Sequence, residues 1–115
     1  MSVEVWLVMV PCPDTGTAEA IARSVVQEGL AACTMELASG VSTYRWEGQL
    51  ERASELVLWL KTEAGTVPSL MARIEAMHPY ACPAVLAWPV PAVNERYAAW
   101  VAGEVRGRTA GGGGA

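Results

Sequence analysis

VEVWLVMV at residues 3–10 and ELVLWLK at residues 55–61 decide the fold of this chain. Read as extended backbone, the first places Val5, Leu7 and Met9 on one side and Trp6, Val8 and Val10 on the other. In the second, Leu56, Leu58 and Leu60 alternate with Val57 and Trp59. Neither strand has a polar face to give to water, so both belong in a sheet covered on its two sides. The rest of the chain holds too few helical stretches to cover two faces. The second cover is expected from another copy or a partner, which predicts an obligate oligomer.

Outward from the first strand, Pro11-Cys12-Pro13-Asp14 is expected to break the ladder, since two prolines remove amide donors and Asp14 can cap a helix after it. Ala18, Ile21, Ala22, Val25, Val26, Gly29 and Leu30 then recur at helical spacing, predicting a helix from Thr15 that ends at Gly29. From Leu30 to Trp46 the pattern is β-like, with Ser39-Gly40 reading as a bulge or bend. Glu47-Gly48-Gln49 supplies turn chemistry, so this stretch and the 55–61 strand form a long hairpin whose tip is expected to reach a neighbouring subunit.

Farther on, Thr66-Val67-Pro68 opens a second helix with Leu70, Met71, Ile74 and Met77 as its stripe, and Pro79 stops it just after His78. Pro83 to Val90 reads as a strand, and Asn94 caps a last helix carrying Tyr97, Ala98, Val101, Ala102 and Val105, with Trp100 as its expected anchor. The Gly-rich stretch 107–115 is expected to be a disordered tail, leaving residues 1–106 as the single domain. The order βαββαβ plus a terminal helix predicts a ferredoxin-like α+β sandwich, with two helices on one face and the other face bare in a monomer. Closed symmetry is expected, with two or three copies both open on these grounds.

Composition narrows the function. The chain has 115 residues, 52% hydrophobic, a net charge of −4 and three cysteines, with a mean hydropathy of +0.25 and a pI near 4.9. No apolar run reaches the ~18 to 20 residues that span a bilayer, so the expected location is the cytoplasm. Scattered Lys and Arg in an acidic chain argue against nucleic acid and against an anionic membrane as partners. Cys12, Cys33 and Cys82 show no CxxC spacing, which opposes a disulfide framework or a zinc ribbon and favours a reducing compartment. Cys33 falls among alternating apolar residues and is read as packing. Cys12 lies between prolines in an expected loop, and Cys82 at the start of a strand is the more accessible thiol.

Four stretches resemble the CutA family of divalent-cation tolerance proteins: Leu30-Ala31-Ala32-Cys33, Tyr44-Arg45-Trp46-Glu47-Gly48, His78-Pro79-Tyr80 with Pro83, and Asn94-Glu95-Arg96-Tyr97 with Trp100. The resemblance runs in order from Val3 to Val105. It implies a compact homotrimer shaped like the PII signalling proteins and bound up with copper and other divalent cations; it implies no established catalytic reaction. Where some relatives carry a Cys in the first strand and a His pair, this chain has Val10 and Met77-His78. Ala81 and Ala84 stand where polar or acidic side chains are usual.

Copper suits imidazole and, when reduced, the soft sulfur of Cys or Met, so His78, Cys82 and Met77 form the candidate metal set. The competing structural reading has His78, the one histidine, closing its helix and packing beside Tyr80. Tyr44 and Trp46 at the hairpin tip are read as interface anchors in preference to a ligand-stacking platform, and Glu47 and Glu51 as a solvated end or a weak hard-cation site. The alternative function is a PII-like regulatory module that holds a small ligand or partner at the inter-subunit cleft. No phosphate-binding Gly loop, GxSxG elbow or HExxH occurs, and His78 with Cys82 is the only nucleophile-and-base pair on offer, so no enzyme is expected.

Overall fold

The computed structural model of the chain describes residues 3–105 throughout and carries the last helix to Gly114 in backbone alone. The side chains of the expected disordered tail at 107–115, and Ala115 altogether, lie outside the described residues. Strands β1 (Val5–Cys12), β2 (Cys33–Trp46), β3 (Gln49–Glu63) and β4 (Leu86–Pro89) form one antiparallel sheet in the order β2-β3-β1-β4. Helices α1 (Thr15–Gln27) and α2 (Val67–Met77) make the two crossovers, and α3 (Glu95–Gly114) closes the chain. This is the expected βαββαβ order with an added helix. No helix among the described residues is long and apolar enough to cross a membrane.

Local chemistry sets the element ends. Asp14 Oδ1 accepts from the Thr17 amide at 2.7 Å and caps α1. Gly29, at φ 74°, closes it in a Schellman arrangement: Gly29 N–H reaches the Val26 carbonyl at 3.1 Å and Leu30 N–H the Val25 carbonyl at 2.9 Å. Glu47 and Gly48 turn the hairpin with φ of 50° and 81°, the left-handed pair that a two-residue turn between twisted strands requires. The expected bulge falls between Leu37 and Gly40, where Ser39 holds φ 77°.

One sheet face is closed by the chain itself. Val8, Val10, Leu58 and Leu60 are fully buried there against Ala18, Ile21 and Val25 of α1 and Leu70 and Ile74 of α2. Thr62, also fully buried, is satisfied by donating to the Leu30 carbonyl at 2.7 Å. On the opposite face the register aligns Met35, Trp59, Met9 and Leu86 in one row, with Leu37, Val57 and Pro11 in the next. Met35 is 55% exposed, Leu37 51% and Leu86 47%.

Several expectations need correction. The ladder does not break at Pro11: β1 continues to Cys12, which pairs with Leu56 and is fully buried rather than exposed in a loop. Pro11 is tolerated because β4 pairs only as far as Met9. The Pro11 carbonyl turns to His78, so its missing N–H lies on the side with no partner strand. The last strand is four residues rather than the span from Pro83, whose neighbourhood instead forms a loop.

The second face is also not wholly bare. Val101 and Val105 of α3 bury Val5 and Ala32 at one end of it. Trp100 does not anchor that helix; it is 45% exposed and leans on Tyr97 at 5.7 Å.

Candidate functional site

The β2–β3 hairpin outruns the rest of the sheet. Pairing of β1 with β3 stops at Cys12 and Leu56, whereas β2 and β3 stay paired out to Trp46 and Gln49. A cleft of about 580 Å³ opens where this arm leaves the sheet. Pro11 forms its base, Ser42, Tyr44 and Trp46 come from β2, Glu55 from β3, and Tyr80, Ala81, Cys82 and Ala84 from the loop after α2.

Pro79 and the extended His78 (ψ 137°) stop α2 and throw that loop across the sheet end. His78 closes the helix through its backbone, whose N–H reaches the Ile74 carbonyl at 2.9 Å. Its ring, only 7% exposed, turns away from the helix. Nε2 lies 2.8 Å from the Pro11 carbonyl, which only accepts, so Nε2 carries the proton. Nδ1 then accepts from the Tyr80 amide at 3.3 Å. Both ring nitrogens are engaged, and the ring rests on Tyr80 with centroids 4.6 Å apart.

Tyr80 carries the connection on. Its hydroxyl donates to Glu55 Oε2 at 2.6 Å, and the Ser42 hydroxyl donates to the other carboxylate oxygen. Burial first, and then the Glu55 carboxylate, raise the pKa of the Tyr80 phenol above its ordinary range. Cys12, behind the base of the cleft, is pushed up to about 11 by burial, with Glu55, Asp14 and Glu36 adding to the effect. At neutral pH it is a protonated thiol, a poor nucleophile and ligand.

The expected metal set is spread out by the fold. Cys82 is exposed and lines the cleft. His78 stands behind Tyr80 with both nitrogens occupied, and Met77 is half-buried against the core on the helix side. Among the described residues no three His, Cys, Asp or Glu side chains gather in a way that holds a metal ion. Cys33 is half-buried with Sγ 3.2 Å from the Tyr97 hydroxyl. Tyr44 and Trp46, read as interface anchors, are cleft-lining side chains in this chain.

Sequence reasoning passed over Glu55, Ser42 and the hydroxyl of Tyr80. One signal was available: strand alternation places the Glu55 carboxylate on the same face as Val57 and Trp59, where a charge is out of place unless it serves a site.

Comparison with known proteins matches residues 6–104 to the family model described as CutA1 divalent ion tolerance protein. Protein CutA of Mus musculus is 39% identical over 92 residues, covering 80% of this chain and 52% of the mouse protein. The chain thus spans about half the length of the mouse and human relatives. The divalent-cation tolerance protein CutA of Thermus thermophilus is 36% identical over 95 residues, covering 83% of this chain and 92% of that protein. Among solved structures, CutA of Xylella fastidiosa superposes with a TM-score of 0.85 at 42% identity, over 88% of this chain and 97% of that one. The motifs, the sheet with its long hairpin and these matches together make the chain a member of the CutA1 divalent ion tolerance protein family.

Proposed function

We propose that this chain serves divalent-cation tolerance as a cytoplasmic homotrimer, binding copper or another divalent cation weakly at its clefts, without catalysis. The observation that carries this reading is the family match over residues 6–104. Assembly is supported by the open sheet face, where Met35, Leu37, Leu86 and Trp88 are left exposed side by side, a patch of the kind that marks protein–protein contact surfaces. Three free thiols suit a reducing compartment. Cys82 is the ligand already exposed at the cleft. Bringing His78 in requires Nδ1 to release the Tyr80 amide, and Met77 must leave its place against the core. Both costs favour weak binding.

Titration of the reduced protein with Cu(I) and Cu(II) against a competing chelator tests this, with His78→Ala and Cys82→Ser in parallel. Saturable binding lost in Cys82→Ser, and weakened in His78→Ala, is expected. Absence of saturable binding overturns the metal reading. A monomeric mass by light scattering overturns the trimer.

One observation favours a second reading, a regulatory module in the manner of the PII proteins. The cleft has the volume of a small-molecule site, and its walls are aromatic. Thermal stabilisation by small molecules with no effect of metals is the outcome this reading expects.

A further inference from the structure

The cleft has a charge pattern as well as a shape. Past the bulge, the register pairs Tyr44 with Glu51 and Trp46 with Gln49, and it pairs Thr43 with Arg52 and Arg45 with Leu50. Alternation therefore puts the arm's two arginines on one face and its aromatic rings and carboxylates on the other. Arg52 is held on its own face, where Nη1 donates to the Thr43 hydroxyl at 2.8 Å. No Lys or Arg is among the residues lining the cleft.

Glu55 is set into this wall with each oxygen held by a hydroxyl, from Ser42 and from Tyr80. Hydroxyl donors orient a carboxylate and leave its charge uncompensated. Ion pairs at Arg23–Glu19 and Arg73–Glu28 lie elsewhere, on the helices, and do not involve Glu55. Its field is felt by its neighbours: it contributes to raising both Cys12 and Tyr80. Around it stand the rings of Tyr44, Trp46 and Tyr80. Aromatic faces carry negative quadrupole charge and attract cations of low hydration, most strongly when these lose their water. A metal ion held tightly needs several strong ligands; of His, Cys, Asp and Glu this wall offers only Glu55 and Cys82, and among the described residues no three such side chains gather, so a metal here is bound weakly at most. An anion meets no counter-charge.

We infer that the cleft binds a small organic ammonium ion, its charge on Glu55 and its alkyl groups against Tyr44, Trp46 and Tyr80. This rests on the small-ligand reading of the same cleft.

The test is an NMR and tryptophan-fluorescence titration of the full chain with choline and with 3,3-dimethylbutan-1-ol, its uncharged carbon isostere. Choline is expected to saturate, perturbing the Trp46 indole and the amides of Ser42, Thr43 and Tyr44, with the isostere binding about tenfold more weakly or worse. Glu55→Gln keeps the hydrogen-bonding shape and removes the charge; it should weaken choline about tenfold and leave the isostere unchanged. Trp46→Leu, at the solvent-exposed hairpin end, should weaken choline without altering the fold. Equal binding of the two probes at these residues, or choline binding unchanged in Glu55→Gln, overturns the organic-cation class while leaving a small-ligand cleft. No perturbation of the cleft by either probe overturns both readings.

Discussion

The two faces of the sheet are written in nearly the same alphabet and end in different environments. Val8, Val10, Leu58 and Leu60 are fully buried by α1 and α2. On the other side of the same strands Met9 and Trp59 are only half-buried and Met35 and Leu86 stay about half exposed, since among the described residues α3 is the one helix that packs on that side. The closed face is a finished core. The open face keeps large, adaptable side chains, two methionines and the edge-to-face pair of Trp59 and Trp88 at 6.0 Å, and these residue types are favoured where a surface waits for another surface. Hydrophobicity alone does not tell a core from an interface. The difference lies in whether the connections of the chain can bring cover to that side.

The strongest way to break this comparison is Trp59→Lys. If the open face is an assembly surface, the change puts an ammonium into an apolar contact in every copy, and assembly or solubility is expected to be lost. A soluble protein of wild-type mass by light scattering removes Trp59 from the interface. Next in size is Leu58→Ala on the closed face. The expected loss is about 2 to 5 kcal/mol in denaturant unfolding at fixed protomer concentration, with the wild-type mass in solution retained below the transition. A loss under about 1 kcal/mol shows that this face is less finished than its burial suggests.

Thiol chemistry sharpens the contrast further. Cys82, exposed at the cleft, is expected to react rapidly with a thiol reagent in the native protein, and Cys12, buried on the closed face, only on unfolding. The sign of the pH dependence comes from the raised value of about 11 for Cys12. Its contribution to stability is fully present below the ordinary thiol range, near ~8.5. It falls as pH rises toward the folded value, because the unfolded chain gives up that proton first. Cys12→Ala is expected to flatten the alkaline limb of a stability profile; an unchanged limb assigns it to other groups. The smallest effect is at the bulge, where Ser39 holds φ 77°. Ser39→Gly relieves that left-handed strain and is expected to stabilise by roughly 0.5 to 1 kcal/mol. Destabilisation instead means that the serine side chain supports the arm.

Much of this architecture was legible in the residues. The Asp14 cap, the Gly29 stop, the Ser39-Gly40 bulge and the Gly48 turn are local chemistry, each decided within a few positions by a side-chain acceptor or a backbone that tolerates positive φ. The resemblance across 3–105 also agrees with the family match. Pro11 misled because a proline in a central strand is forbidden only where a neighbour needs its N–H. How far β4 extends is a tertiary fact. The same miss put Cys12 in a loop instead of the core.

The candidate site was the least legible part. His78, Met77 and Cys82 lie within six positions, and proximity in sequence suggested a shared ligand set. The stop at Pro79 sends them to different surroundings: Met77 against the core, His78 to its hydrogen bonds with Pro11 and Tyr80, and Cys82 to solvent. Glu55, Ser42 and Tyr80 meet across separations of 13 and 25 residues, which no local pattern encodes.

By itself the sequence determined which segments are strands and helices, where the first two helices stop and the hairpin turns, and that the sheet is apolar on both sides. Those properties come from periodicity, capping and turn chemistry, which act over one or two turns of chain. Only the tertiary structure decided which face the helices take, how far each strand finds a partner, and which carboxylate stands in the cleft. Such choices depend on contacts between residues far apart in sequence, where packing and the pairing of buried polar groups select one arrangement from many that the local pattern allows.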